Sequence, residues 1–176
     1  DNDLRSENNG INMIFRNGAS NNSFDIISNY VEVDGNQVVS SGITVSSPWP
    51  PSTQDIDITF NEIDTDDGSA NGYNIYINAT EGMFVNENII HPSSSHGIFI
   101  NQGGNSDYWC NDINNDRHGI YVNQSQFNNI EDNKLNFQEH GLTFHGADNT
   151  GTYIAANKFN QSNFEDITYE GASITG

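Results

Sequence analysis

One short phrase occurs six times along this chain: an apolar residue, two spacers, Asn, one spacer and a second apolar residue. The copies are Ile26-Asn29-Val31, Ile58-Asn61-Ile63, Val85-Asn88-Ile90, Tyr108-Asn111-Ile113, Ile130-Asn133-Leu135 and Ile154-Asn157-Phe159. Between them runs a second phrase, Gly-apolar-x-apolar, at Gly42-Ile43-Thr44-Val45, Gly97-Ile98-Phe99-Ile100, Gly119-Ile120-Tyr121-Val122 and Gly141-Leu142-Thr143-Phe144. Gly10-Ile11 and Gly171-Ala172-Ser173-Ile174 read as poorer copies. The asparagines are 32, 27, 23, 22 and 24 residues apart, and the glycines of the regular middle are 22 apart, periods that suit one turn of a β-solenoid. Within each phrase apolar and polar residues alternate, as in a strand with one buried face. Helical periodicity would need apolar positions at i, i+3, i+4 and i+7, which these Gly- and Asn-rich segments lack.

The repeat therefore predicts an all-β, right-handed parallel β-helix of about six to seven coils. Stacked at one corner of successive coils, about 4.8 Å apart, each repeated Asn donates from its amide to the side-chain oxygen of the next, which makes an inward ladder with a structural role. The Gly before each second strand is expected to supply a positive φ at a tight corner. Aligning the coils puts Asn74 in that Gly position, Ile75, Ile98, Ile120 and Leu142 in one inward column, and Ile77, Ile100, Val122 and Phe144 in the next. Outward columns follow: Tyr76, Phe99, Tyr121 and Thr143; Asn78, Asn101, Asn123 and His145; and, at the corner, Tyr73, His96, His118 and His140. Aromatic faces stack on the apolar face of a pyranose while amides bond its hydroxyls, so this wall is a candidate sugar surface. Stacked aromatics also stabilise a sheet by cross-strand packing.

Composition narrows the partners. Five basic residues stand against 24 acidic ones for a formal charge of −19, which excludes an unaided grip on nucleic acid or an anionic membrane. No apolar run is long enough for a membrane-spanning helix. The single cysteine, Cys110, rules out an intrachain disulfide framework. The 176 residues are read as a single domain, 1–176, a module of a larger secreted protein. Sequons open at Asn21, Asn78, Asn123 and Asn160. No cofactor is demanded. Calcium is the one candidate, because Asp64-Thr65-Asp66-Asp67-Gly68 and Asp112-Ile113-Asn114-Asn115-Asp116 are acidic segments, although neither carries the full ligand set of an EF-hand. The long segments from Ser46 to Asp55, with Trp49, and from Thr65 to Asn71 are expected to fold over one edge. Coil ends and the side wall are also surfaces for self-association.

The alternating phrases resemble the pectate-lyase-like superfamily of parallel β-helices over nearly the whole chain, a resemblance that implies a fold and not a reaction. More locally, Asn115-Asp116-Arg117-His118-Gly119 is similar to a segment of the catalytic module of mannuronan C5-epimerases, which act on alginate. That family's Tyr-Gly-Phe-Asp-Pro-His lies about two coils earlier, where this chain has Tyr73-Asn74-Ile75-Tyr76-Ile77-Asn78. Tyr73, Arg117 and His118 match positions near the chemistry, whereas Tyr76 and Asn78 replace an Asp and a His. The resemblance implies a polysaccharide C5-epimerase or lyase in which Arg117 is the cation, His118 the base and Tyr73 the acid or second base. Tyr76, Phe99, Asn101, Tyr121, Asn123 and His145 are the expected sugar-binding residues. The competing expectation is a noncatalytic structural or adhesive rod in an extracellular setting.

Overall fold

The computed structural model describes residues 2–6, 9–15, 23–34, 40–47, 52–65, 72–92, 95–115, 117–137, 139–146, 148–161 and 165–171. Asn21, Trp49 and its Pro-rich segment, Asp66, Asp67, Gly68 and Asp116 lie outside these residues. Among the described residues all regular structure is strand.

The strands succeed one another in threes. β1 (Asn2–Ser6), β2 (Asn9–Ile14) and β3 (Ser23–Ile27) are followed by β4 (Asn29–Val33), β5 (Ser41–Ser46) and β6 (Ser52–Thr59). β7 (Glu62–Asp64), β8 (Tyr73–Asn78) and β9 (Thr80–Asn86) precede β10 (Ile89–Ile90), β11 (His96–Asn101) and β12 (Asp107–Trp109). Next come β13 (Asp112–Asn115), β14 (His118–Asn123), β15 (Asn129–Glu131), β16 (Lys134–Phe137), β17 (His140–His145) and β18 (Tyr153–Ala155), then β19 (Lys158–Gln161) and β20 (Ile167–Glu170). Every third strand pairs in parallel with the next of its kind, which gives sheets of seven, seven and six strands beginning at β1, β2 and β3 respectively. This is a parallel β-helix. About five complete turns, β4 to β18, enclose the core, while β1–β3 are largely exposed, so the expected six to seven coils is slightly high.

The repeated asparagines form the inward column that their spacing implied. Asn29, Asn61, Asn88, Asn111 and Asn133 are buried, and Asn2 extends the ladder by one unforeseen rung, donating to Asn29 at 2.9 Å. The column is flanked by Val31, Ile63, Ile90, Ile113 and Leu135 of the first sheet, by the second sheet's two inward columns, and by Ile58, Val85, Tyr108 and Ile130 of the third, all buried. Alternation places these side chains inside and their neighbours outside, so a narrow core needs only one apolar residue in two.

The corner glycines have a different cause from the one expected. Gly42, Gly97 and Gly119 do not have positive φ; a Cβ on Gly119 would lie 2.6 Å from the carbonyl oxygen of Gly141, and one on Gly97 2.6 Å from that of Gly119. Glycine is required there by the close approach of the next coil. Asn74 occupies the equivalent place with its side chain turned to accept from Thr65 Oγ1 at 2.8 Å and donate to the His91 carbonyl at 3.0 Å. Left-handed backbone falls instead on the residue before each ladder Asn: Ser28, Phe60, Glu87, Cys110, Asp132 and Ala156, with φ between 51° and 56°. The last copy of the second phrase is also displaced. β20 sets Ile167 and Tyr169 beside Leu142 and Phe144, so Gly171 follows the strand rather than opening it.

Candidate functional site

The second sheet carries the wall. Its inward columns are fully buried or nearly so, which fixes the intervening residues on the outer face. Register then stacks Tyr73, His96, His118 and His140 in one column, Tyr76, Phe99, Tyr121 and Thr143 in the second, and Asn78, Asn101, Asn123, His145 and Glu170 in the third. The rings interlock. Phe99 lies parallel to Tyr121 at 5.1 Å, and His96 to His118 at 4.8 Å, while His118 meets Tyr121 edge-on at 5.1 Å. Beside them Asn123 Nδ2 donates to Asn101 Oδ1 at 2.7 Å, and Asn101 Nδ2 to Asn78 Oδ1 at 2.6 Å.

Packing covers more of this wall than alternation alone suggests. Thr143 and His118 are both buried, the imidazole sandwiched between His96 and His140 with Nδ1 2.9 Å from Thr143 Oγ1. Burial, the adjacent imidazoles and Arg117 push His96 down to about 3 and, with Glu170 and Glu139 opposing, His118 down to about 4. Both rings are therefore neutral at pH 7.

A shallow cleft of about 350 Å³ opens at this place, lined by His96, Phe99, Arg117, His118, Tyr121, Asn123, His145 and Glu170. It gathers six of the residues singled out in the sequence. Tyr73, Tyr76 and Asn101 stand on neighbouring coils of the same wall, outside the cleft, and His96 is interposed between Tyr73 and His118. Glu170 was not foreseen. It takes the phenol hydrogen of Tyr121 at 3.3 Å and lies 3.4 Å from His145 Nδ1. Burial and Glu170 together push the Tyr121 phenol up to about 12, so it stays protonated. Arg117, exposed at the rim, pairs through Nε with Glu139 at 3.1 Å.

Chemically the cleft offers a cation at the rim, a neutral imidazole, a protonated phenol and an aromatic floor. In the tautomer whose Nδ1–H donates to Thr143 Oγ1, the Nε2 of His118 is the acceptor. Its depressed basicity limits the driving force for proton abstraction and leaves it unprotonated throughout the neutral range. Elsewhere, Asp112 of the second acidic segment is engaged by Lys134 Nζ at 2.8 Å, and no group of three or more His, Cys, Asp or Glu side chains is placed to hold a metal among the described residues. No helix among them is long and apolar enough to cross a membrane.

No protein-family model and no curated protein sequence matches the chain. Among solved structures it is similar to the periplasmic alginate epimerase AlgG, with a TM-score of 0.39 and 16% sequence identity over 84% of this chain and 49% of that one. The chain thus spans about half the length of that epimerase. Three parallel sheets wound about a buried asparagine ladder make the chain a parallel β-helix.

Proposed function

We propose that the second sheet's wall binds an extracellular polysaccharide and that the cleft around Arg117 and His118 acts on uronate residues of such a polymer at C5, in the manner of an epimerase or lyase. The observation that carries this reading is the convergence of Arg117, His118, Tyr121 and Glu170 on one cleft at the end of an aromatic stack. Tyr76, Phe99 and Tyr121 supply the sugar-facing rings, with Asn101, Asn123 and His145 alongside for hydroxyl groups.

In this mechanism the substrate carboxylate replaces Glu139 as the partner of Arg117, whose charge stabilises the enolate that forms when C5 loses its proton. His118 Nε2 takes that proton, and the C5–H electron pair moves into the carboxylate. Return of a proton to C5 from the opposite face gives the epimer; alternatively the electron pair forms a C4–C5 double bond as the C4–O bond breaks, and the leaving oxygen takes a proton from Tyr121, which gives an unsaturated end and a new reducing end. Tyr121, protonated and beside Glu170 in the same cleft, stands in for Tyr73, to which the resemblance gave the role of acid or second base, and Tyr73 joins the binding surface. Calcium serves by screening the −19 charge against a polyanionic substrate.

The test is incubation of the protein with oligomers of mannuronate, guluronate and galacturonate, with calcium, followed by proton NMR and ultraviolet absorbance. Arg117→Ala is expected to lower turnover about 100-fold or more with little change in melting temperature, because Arg117 is exposed. Absence of both turnover and binding on all three polymers across a pH series overturns the reading. A structural rod is the second reading, favoured by Tyr76 and Asn78, which stand where the epimerases have Asp and His and are engaged in the ring stack and the amide ladder. Tyr121→Ala separates the two. Weaker sugar binding at unchanged stability supports the ligand wall, and lowered stability with no sugar binding in either protein supports the rod.

A further inference from the structure

The third sheet presents a wall of opposite character. Two outward rows cross its strands: Asp25, Asp57, Phe84, Asp107, Asn129 and Tyr153 in register, and beside them Ile27, Thr59, Asn86, Trp109, Glu131 and Ala155. Neither row contains a Lys, Arg or His, whereas the second sheet's cleft contains Arg117 and three histidines. Between the rows a cleft of about 270 Å³ is lined by Phe84, Asp107, Trp109, Asn129 and Glu131.

Its parts are held in place. The Phe84 and Trp109 rings meet edge-on at 6.4 Å, the indole N–H donates to Asp132 at 3.2 Å, and Asn129 Nδ2 donates to Asp107 at 2.7 Å. Trp109 nevertheless leaves 43% of its surface open, so the indole is oriented by its edge while its face is accessible. Asn86, on the same outward row as Trp109, is 7% exposed, and its Oδ1 has no hydrogen-bond partner. That atom is shielded from solvent and Asn86 does not line the cleft, so it marks a structural cost beneath the wall rather than a ligand contact. Burial and the neighbouring Asp25 and Asp55 hold the Asp57 carboxyl above its ordinary range, a sign of the negative field along the row.

An aromatic face flanked by carboxylates selects a ring with an apolar face and positive edge groups, and it rejects a uronate. We propose that this third-sheet cleft is a second carbohydrate site, selective for a pyranose that carries a free, protonated amino group. Trp109 stacks on the ring, Asp107 and Glu131 accept from the ammonium and hydroxyl groups, and successive sugars extend along the rows toward Phe84 or Tyr153. The site is independent of the reading of the second sheet. Where the reading proposed for the second sheet also holds, one chain carries two walls that sort polysaccharides by charge.

Calorimetric titration at pH 6 and low salt tests this with three probes: a fully deacetylated glucosamine hexamer, its N-acetylated counterpart and a mannuronate hexamer. The expected result is binding of the glucosamine hexamer, weakened about tenfold or more by Trp109→Ala and by Asp107→Asn with Glu131→Gln, and largely retained in Trp109→Phe. The acetylated hexamer should bind about tenfold or more weakly. Melting temperatures within a few degrees of the parent show that the variants are folded. Equal affinity for the acetylated and deacetylated probes overturns the charge selectivity. Glucosamine binding that survives Trp109→Ala unchanged overturns the site, since diffuse attraction to the −19 chain then accounts for it. No binding of the glucosamine hexamer overturns the proposal outright.

Discussion

Each interior ladder asparagine uses the full capacity of its amide. Asn61 Nδ2 donates to Asn88 Oδ1 at 3.0 Å and to the Ile26 carbonyl at 2.8 Å, while its Oδ1 accepts from the backbone and side-chain nitrogens of Asn29, both at 3.0 Å. Aspartate lacks the donors, and glutamine would displace them by a methylene, so the spacing of acceptors admits Asn alone. Asn111→Ala would strip Asn88 of an acceptor for two N–H groups and leave Val85 O and Asn133 Oδ1 each one donor short. We expect a loss of about 1–3 kcal/mol, read by thermal or denaturant unfolding. The residue before each ladder Asn gives the converse expectation. A non-Gly residue in left-handed backbone is disfavoured by roughly 1–2 kcal/mol, so Ala156→Gly, at φ 54°, should stabilise the fold by about 1 kcal/mol after the added freedom of the unfolded chain is subtracted. Gly119→Ala should instead destabilise, because its Cβ would meet backbone.

At the level of the sheet, the aromatic and imidazole columns couple stability to pH. His96 and His118 have folded-state values of about 3 and about 4 against an ordinary 6.5. Unfolded chains therefore bind protons that the folded protein refuses. Stability is complete above about pH 6.5 and falls as the pH drops toward 4, after which the contribution of His118 is constant. For the buried His118 the loss is on the order of a few kcal/mol. The melting temperature measured from pH 7.5 to 4.5 should decline, and His118→Asn should show a shallower slope than the parent. An identical slope in the two proteins would mean that carboxylates alone, and not the imidazole stack, set the acid sensitivity.

Across the whole molecule each coil contacts its neighbours through in-register strands, so the coil is a removable unit. Asp112 pairs with Lys134, Asp107 with Asn129 and then Tyr153, and His118 with His140, which means that residues 112–133 make one full turn with matching ends. Deleting them joins Asn111 to Lys134 at equivalent points of the helix. The shortened protein should keep a β-type circular dichroism spectrum and a cooperative melt at reduced temperature, with the ladder closed between Asn111 and Asn157. It should also lose uronate binding, because Arg117, His118, Tyr121 and Asn123 leave together. An unfolded product would show that the coils are not interchangeable and that this turn carries long-range contacts of its own.

Alternation and a repeated Asn were enough, by themselves, to settle the strand type, the inward and outward columns, the register of the regular coils and the two stacks of the second sheet. The reason is local: side-chain direction in a strand depends on parity, and the 22-residue step from Ile98 to Ile120 to Leu142 leaves one alignment. Where the step changes, the sequence is silent. Ile167 pairs with Leu142 at a distance of 25 residues, so Glu170 could not be placed beside His145 until the strands were stacked. Tertiary packing alone decided that His118 is buried between two imidazoles, that Tyr121 rather than Tyr73 shares its cleft, and that Gly119 answers to the backbone of the next coil. It also assembled the third-sheet wall, whose Phe84, Asp107, Asn129 and Tyr153 are scattered over 70 residues of chain and share a row because four consecutive coils bring them there.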